Sequence, residues 1–438
     1  MSLAVLAAVV SFPRGQFWRL QAQIEIESNN RRERAAYGAP FEVLVIGMNI
    51  GRAHRWGDQT VVPLRPVATS LGWIVHWEKG LDDLLLARDG ETMRVSTRSV
   101  FGDDYVPLPE LETLLGLPPS RREGGSLLIG PDPPAGVVLD PATVHPAELW
   151  VDGRRLSRQA VITTDGRSLV PAEPLALVLG AIFRLRAPDQ EIEVNYHRLP
   201  AYLLEGRVLV ELEAMLPVAG SRGLQVEVRP GPGSALPSAP HPLRHVPGRP
   251  GRVAITFDDY LLPVTAGLLD ILEQRHARAT FFVIGSGMEQ YPELASRILA
   301  GGSELANHSW SHQHPFAFTE DRLRAEILAA DLTIRDHAGL PAPFFRPPGG
   351  YHDAFSRAVA ADLGLTTVLW SVHGGDAASD ATPERIARNV LTRAHPGAVV
   401  VLHMTRAATV EALPAIIDGL RAAGLEPVTL TELLALSP

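Results

Sequence analysis

Along residues 252–438, short apolar runs alternate with longer stretches whose apolar positions recur at helical spacing. The runs are VAITF (253–257), TFFVIG (280–285), SELAN (303–307), PFFRP (343–347), TTVLWSV (366–372), AVVVLH (398–403) and EPVTL (426–430). Their length and their β-branched and aromatic content predict buried strands. Residues 320–337, 383–393 and 410–423 lie between them and predict helices. Strand–helix alternation predicts parallel βαβ units. About seven strands in this length predict an α/β fold, a distorted (β/α) barrel shorter than the roughly 250 residues usual for eight full units. In such a barrel the chemistry sits at the C-terminal strand ends.

Upstream the pattern repeats. VPLRPVATSLG (62–72) recurs as VPLPELETLLG (106–116) and VPAEPLALVLG (170–180), and a weaker copy starts near Val208. In each copy a strand ends at V-P, and proline is tolerated where the first helical N–H groups have no partner. Apolar residues such as Val67 and Leu71 follow at helical spacing, and glycine ends the helix. Residues 42–147 and 148–217 therefore read as two related α+β modules, each a pair of β-α-β half-repeats. They resemble the copper amine oxidase N-terminal-like domain, a stalk module of bacterial envelope proteins. Despite that name, His54 and His76 form no ligand cluster. Residues 218–251 are rich in Pro, Gly and Ser and predict a semi-rigid linker before a domain at 252–438. In the N-terminal segment 1–41, residues 3–10 are apolar but too few to span a bilayer. They lack the basic flank and cleavage site of a signal peptide, so an apolar segment and a truncated signal stand side by side. No transmembrane helix is expected.

The chain has 438 residues, 46% hydrophobic and 20% charged, the composition of a packed protein. Its 38 Gly and 37 Pro predict many turns. A net charge of -9 argues against nucleic acid as a partner. The absence of cysteine excludes disulfides, Cys-ligated zinc, iron–sulfur clusters and a Cys nucleophile. Lys79 is the one lysine, so Schiff-base and Walker-A chemistry have no plausible residue. A metal here must use His and carboxylate.

Residues of those types stand at the predicted strand ends. TFDD ends the first with Asp258 and Asp259, and NHSWSH follows the third with His308 and His312. Arg346 follows the fourth, Asp376 the fifth, and His403 ends the sixth. Each alone has an ordinary reading: an N-cap pair, surface histidines, an ion pair, a core histidine. His314 reads as a neighbour of the cluster. Together they suit metal-assisted hydrolysis. Two His and one Asp make an open three-ligand site, a second carboxylate can take a proton from water, and a distant His can act as acid.

In these motifs residues 252–436 resemble the NodB-homology domain of polysaccharide deacetylases, carbohydrate esterase family 4. TFDD, HSWSH, RPPGG (346–350), Asp376 and VLH (401–403) match five family motifs in order. The resemblance implies Asp258 as catalytic base, with Asp259, His308 and His312 as metal ligands. It implies Arg346 lining the groove, the Gly349 N–H as oxyanion donor, and His403 as general acid tuned by Asp376. Arg278 matches a basic position that steadies the base. The implied metal is a divalent ion, Zn²⁺ first, with Co²⁺, Ni²⁺ or Fe²⁺ also compatible with a His₂Asp site. The implied activity is N-deacetylation of an N-acetylglucosamine polymer, peptidoglycan or chitin-like, at the cell envelope or outside it. The N-terminal modules are expected to offer a cell-wall contact. The departures are Gly349, where tyrosine is common; His373 and Ala377 in the fourth motif, which lacks the groove tryptophan; and Met404, where Asp is common. An O-acetyl esterase, a non-catalytic wall-binding protein, an Fe(II) oxygenase and a two-carboxylate glycosidase are the alternatives.

Overall fold

The computed structural model describes residues 41–435 except 46–47, 57–58, 65–66, 69–73, 78–82, 89–90, 97, 101–102, 124–125, 130–136, 187–190, 205–206, 221, 232–234 and 316–317. The apolar run at 3–10 lies outside the described residues, as does the side chain of His76. No described helix is long and apolar enough to cross a membrane.

The C-terminal domain is built on eight strands: β1 (Arg252–Asp259), β2 (Thr280–Val283), β3 (Glu304–Asn307), β4 (Phe344–Phe345), β5 (Thr366–Thr367), β6 (Val372–His373), β7 (Val399–His403) and β8 (Glu426–Val428). Seven pair side by side in the order β5-β4-β3-β2-β1-β7-β6, and β8 joins the start of β1. Every one of these pairings is parallel. Six consecutive residues of β1, Val253–Asp258, are buried. A central parallel strand covered on both faces reads as a continuous apolar run for this reason.

One predicted strand is corrected. The run 366–372 is not a single strand but β5 and β6, two residues each, at opposite edges of the curled sheet. The residues between them cross the gap, the Val368 N–H donating to Phe345 O at 2.8 Å and the Ser371 N–H to Val399 O at 3.0 Å. No local pattern distinguishes such a crossing from a strand, because both are buried and apolar.

The expected linker is corrected too. Val226–Pro230 is a strand paired antiparallel with Val144–Val151, a single strand that runs across the expected 147/148 boundary. Further on, the chain docks into the gap in the barrel. The Leu243 N–H donates to Thr367 O at 2.8 Å, and its carbonyl accepts from the Leu369 N–H at 2.7 Å. The Val246 N–H donates to Gly397 O at 2.8 Å, and Val246 packs with Ala254, Phe282, Phe344 and Val399. A Cβ at Gly397 would stand 1.9 Å from the Val246 carbonyl oxygen, so this approach requires glycine. A Pro/Gly-rich composition hides a segment whose backbone satisfies open sheet edges.

The repeats fold as pairs. Strand Gln59–Pro63 pairs antiparallel with Asp103–Pro107, placing Val62 opposite Val106. Strand Ser168–Pro171 pairs antiparallel with Arg207–Glu211, placing Val170 opposite Val210. The fourth copy thus starts at Val210, with Glu211 in the proline position, and its helix Leu212–Ala219 precedes Gly220. Each pair lies inside a seven-stranded sheet, and each module adds a three-stranded one.

The second module is not held apart from the barrel. Helix Glu320–Ala338 lies between them, and most of its residues are buried. Leu323, Ile327, Leu328 and Leu332 share one apolar core with Leu149, Leu175 and Val210 of the module and with Phe345 and Val359 of the barrel. Four of the helix's charges, Asp321, Arg324, Glu326 and Asp331, are buried as well, and each has a partner. Arg324 binds Asp362 Oδ2 at 2.7 Å and the Arg155 carbonyl at 3.0 Å. Ser157 donates to Asp321 at 2.6 Å, and Arg154 pairs with Asp331. Buried charges persist only when paired in this way.

Candidate active site

The C-terminal strand ends open into a cleft of about 520 Å³ lined by Asp258, Asp259, His308, His312, His314, Gly349, Tyr351, Trp370, His373, Asp376, His403 and Arg406 among others. Asp258 and Asp259 point to different tasks because strand residues alternate in direction. Asp259 leaves the strand with φ 102°, a left-handed conformation rare outside glycine. His312 and Ser309 also have positive φ, 61° and 66°. Strain of this kind collects where surrounding contacts over-determine a site.

Ligand atoms of Asp259, His308 and His312 all lie within 4.8 Å of one another. The donor set fits a divalent cation on three counts. The His308 Nδ1–H donates to the Arg346 carbonyl at 2.8 Å, which turns Nε2 inward. The Thr405 hydroxyl donates to Asp259 Oδ2 at 3.0 Å, leaving Oδ1 facing His312 Nε2 at 3.6 Å. Burial pushes His308 well below the ordinary imidazole range, helped by His312, and lowers His312 against the pull of Asp259. Neutral imidazoles beside a carboxylate are what such an ion needs.

Asp258 is almost wholly buried. Its Oδ1 accepts from Arg346 Nη1 at 2.5 Å, and its Oδ2 lies 4.0 Å from His308 Nε2. Burial pushes its carboxyl above the usual 3.8, and the opposing charges of Arg346 and His403 do not fully offset it. Arg346 does not line the cleft as the resemblance implied: it is fully buried behind Asp258, bonded also to Thr256 Oγ1 at 2.8 Å and stacked 3.9 Å from the Phe282 ring.

Across the cleft the His403 Nδ1–H donates to Asp376 Oδ1 at 2.9 Å. Asp376 Oδ2 accepts from the His403 backbone N–H and the Thr409 hydroxyl, both at 2.7 Å. This holds the imidazole with Nε2 free of Asp376. Burial opposes the charge on His403, but Asp376 and the carboxylates Asp258 and Asp259 outweigh it and push His403 up to about 9. Burial raises Asp376, yet its bonds to His403 and Thr409 leave it below the usual value.

Arg278 is not in this site. It precedes β2, at the opposite end of the barrel from the strand ends, where its half-exposed side chain pairs with Glu432. The positive charge on Asp258 comes from Arg346, which reaches back across the barrel interior from the end of β4. An adjacent-strand position read from sequence does not say which end of the strand it occupies.

Gly349 has φ 63°, and a Cβ there would meet the Tyr351 ring at 2.7 Å and His314 Nε2 at 3.2 Å. Tyr351 thus occupies the space a side chain at 349 would fill. His314 stacks on Tyr351 with ring centroids 4.6 Å apart and stays outside the three-ligand cluster. Tyr351, Trp370, Thr405 and Arg406 are site residues the sequence reading missed. Trp370 had a signal, an aromatic residue near a strand end; the other three had none. With Tyr351, it supplies aromatic surface that the altered fourth motif lacks.

Residues 245–368 match the polysaccharide deacetylase family. A peptidoglycan-N-acetylglucosamine deacetylase of Bacillus cereus is 37% identical over 195 residues, covering 43% of this chain and 91% of that protein. The peptidoglycan-N-acetylglucosamine deacetylase PgdA of Listeria monocytogenes is 34% identical over 183 residues, covering 42% of this chain but only 38% of its own length. A chitooligosaccharide deacetylase of a Bradyrhizobium species is 35% identical, covering 41% of this chain and 90% of its own.

Proposed function

The chain belongs to the polysaccharide deacetylase family, and from that premise we propose that it removes N-acetyl groups from an N-acetylglucosamine-containing glycan, releasing acetate. One observation carries the reading. A carboxylate held by Arg346 and an imidazole held by Asp376 share a cleft with a His₂Asp cluster suited to a metal.

Asp259, His308 and His312 would hold a divalent ion, Zn²⁺ first among those compatible. When bound, it supplies Lewis-acid polarisation of the acetyl carbonyl and acidifies water. Asp258 accepts the proton of the attacking water. Its buried setting and Arg346 keep the carboxylate aimed at the cleft. The Gly349 N–H, on a backbone turned by positive φ, stabilises the tetrahedral oxyanion; one such donor is worth about 2.7–4 kcal/mol. His403 Nε2 delivers a proton to the departing amine. Asp376 holds the tautomer and the charge this requires.

The pH dependence follows from these two groups. Asp258 must be ionised, and burial raises it above 3.8, so activity falls as pH drops through a value above that. His403 must be protonated, so activity falls as pH rises through about 9. A bell-shaped profile of kcat/KM is expected, and no loss of activity as pH rises past about 9 would contradict the assignment of His403.

We favour peptidoglycan. The Bacillus and Listeria relatives are named for it. Arg406 lines the cleft and brings a guanidinium to it, which suits a glycan bearing carboxylates. We place the protein at the cell envelope on the same ground. We read residues 42–147 and 148–217 as copper amine oxidase N-terminal-like modules, supported by the paired V-P strands and by the matching seven- and three-stranded sheets. A cell-wall contact through them belongs to the same proposal.

The test is acetate release from a panel of N-acetylated peptidoglycan, chitooligosaccharides and O-acetylated xylan, with and without a chelator. Release from peptidoglycan that a chelator abolishes and Zn²⁺ restores is expected. Release from xylan alone would make the protein an O-acetyl esterase, and new reducing ends without acetate a glycosidase.

A further inference from the structure

The metal-ligand loop is braced by a chain of charges that ends in the second N-terminal module. His312 and Ser309 sit in left-handed backbone conformations, which other contacts must impose. Some are local: Asn307 Nδ2 donates to the Ile327 carbonyl at 2.8 Å, and Asn307 Oδ1 accepts from the Ser309 N–H at 2.9 Å. The residue next to His312 is held from further away. The Ser311 N–H donates to Glu326 Oε2 at 2.8 Å, and its hydroxyl reaches both carboxylate oxygens at 3.0 Å.

Glu326 has no exposed side-chain surface. A carboxylate buried there is costly unless a cation and hydrogen bonds satisfy it. Arg322, one helical turn earlier, supplies it, with Nη2 2.8 Å from Glu326 Oε1. The other arm of the guanidinium pairs with Glu173. Burial opposes the charge on Arg322, and Glu173 with Glu326 outweighs it. Glu173 lies in the first turn of helix Ala172–Leu179, the helix that follows Val170-Pro171 in the third repeat. The helix between module and barrel therefore carries a connection as well as a packing face.

We propose that the second module is part of the scaffold of the metal centre: Glu173, through Arg322 and Glu326, is a positioning residue for the His308–His312 loop. This rests on the reading that Asp259, His308 and His312 hold a divalent ion. It assigns the module a role in the chemistry beyond that of a spacer or wall anchor.

The experiment measures the Zn²⁺ dissociation constant of the metal-free full chain by competition with a chromophoric chelator. Circular dichroism and thermal melts monitor the fold. Residues that orient metal ligands typically change affinity by about 10–100-fold when replaced. Glu326→Gln is expected to weaken Zn²⁺ binding by that order, and Glu173→Gln several-fold in the same direction, with Glu173→Asp restoring it. Asp152→Asn is the control. It breaks the Asp152–Arg335 pair, 2.6 Å, which joins the module to the same helix without reaching the loop. It should leave the affinity unchanged. Glu173→Gln, partly exposed, keeps the test open should Glu326→Gln fail to fold. An unchanged affinity in Glu173→Gln, or an equal loss in Asp152→Asn, overturns the proposal. His312→Ala separates the two readings. If it still binds Zn²⁺ at the native affinity, the ligand assignment itself fails; if it loses the metal while Glu173→Gln does not, only the brace fails.

Discussion

Asp258→Asn is expected to lower acetate release by about 10²–10⁴-fold, the usual contribution of a positioned general base, while leaving the metal bound. The separation comes from geometry. Asp259, His308 and His312 form the ligand cluster, whereas Asp258 Oδ1 is committed to Arg346 at 2.5 Å and only Oδ2 faces His308, at 4.0 Å. Asparagine keeps the shape and can still accept from Arg346, but it cannot take a proton from water. Initial rates on acetylated glycan, with metal content after desalting, read both halves of the result. Native turnover would remove Asp258 from the role of base. Lost metal with lost turnover would make it a ligand instead.

Arg346→Met is expected to cost about 3–5 kcal/mol of stability, the penalty for removing one partner of a buried pair, and to abolish activity. The guanidinium is fully buried and bonds Asp258, Thr256 and the backbone around Val368 and Leu369. Methionine fills much of the volume and leaves Asp258 buried without its cation. The pH dependence identifies the cause. Burial already raises Asp258 above 3.8 in the native protein, so its ionised form opposes folding as pH rises from the unfolded value through the folded one. Loss of Arg346 raises the folded value further and enlarges that cost at neutral pH. Denaturant melts should show the gap between variant and native protein shrinking as pH falls toward about 4, where the unfolded carboxyl also protonates. Adding Asp258→Asn to Arg346→Met should recover part of the stability at pH 7. A gap independent of pH, with no recovery, would assign the loss to packing alone.

Much of the site was legible because its residues sit at strand ends, and strand ends are local. The apolar runs before Asp259, His308, Arg346 and His403 each predict a strand, and a parallel barrel brings the same end of every strand to one face. The V-P repeats were legible for a similar reason: a strand, a proline and a glycine-closed helix are all short-range signals. Arg278 misled because its place beside a strand gave no direction along the barrel axis. The segment 366–372 misled because an apolar crossing and an apolar strand have the same composition.

Other features have no local signal at all. Leu243 and Val246 lie in a Pro/Gly-rich stretch, and their role comes from open sheet edges at Thr367 and Gly397. Helix Glu320–Ala338 carries Arg324, Glu326 and Asp331 fully buried, although charged side chains are ordinarily exposed. Partners more than 150 residues away, Arg154, Arg155 and Ser157, satisfy the helix from the second module. The sequence by itself determined which candidate acids, bases and ligand side chains exist, and that parallel strands present them together. Only the tertiary structure decided that the barrel is closed by its supposed linker and that a repeat module reaches the His308–His312 loop through Arg322. Residue type and short-range period set the first. The second depends on burying paired charges between elements far apart in the chain, which no window of sequence encodes.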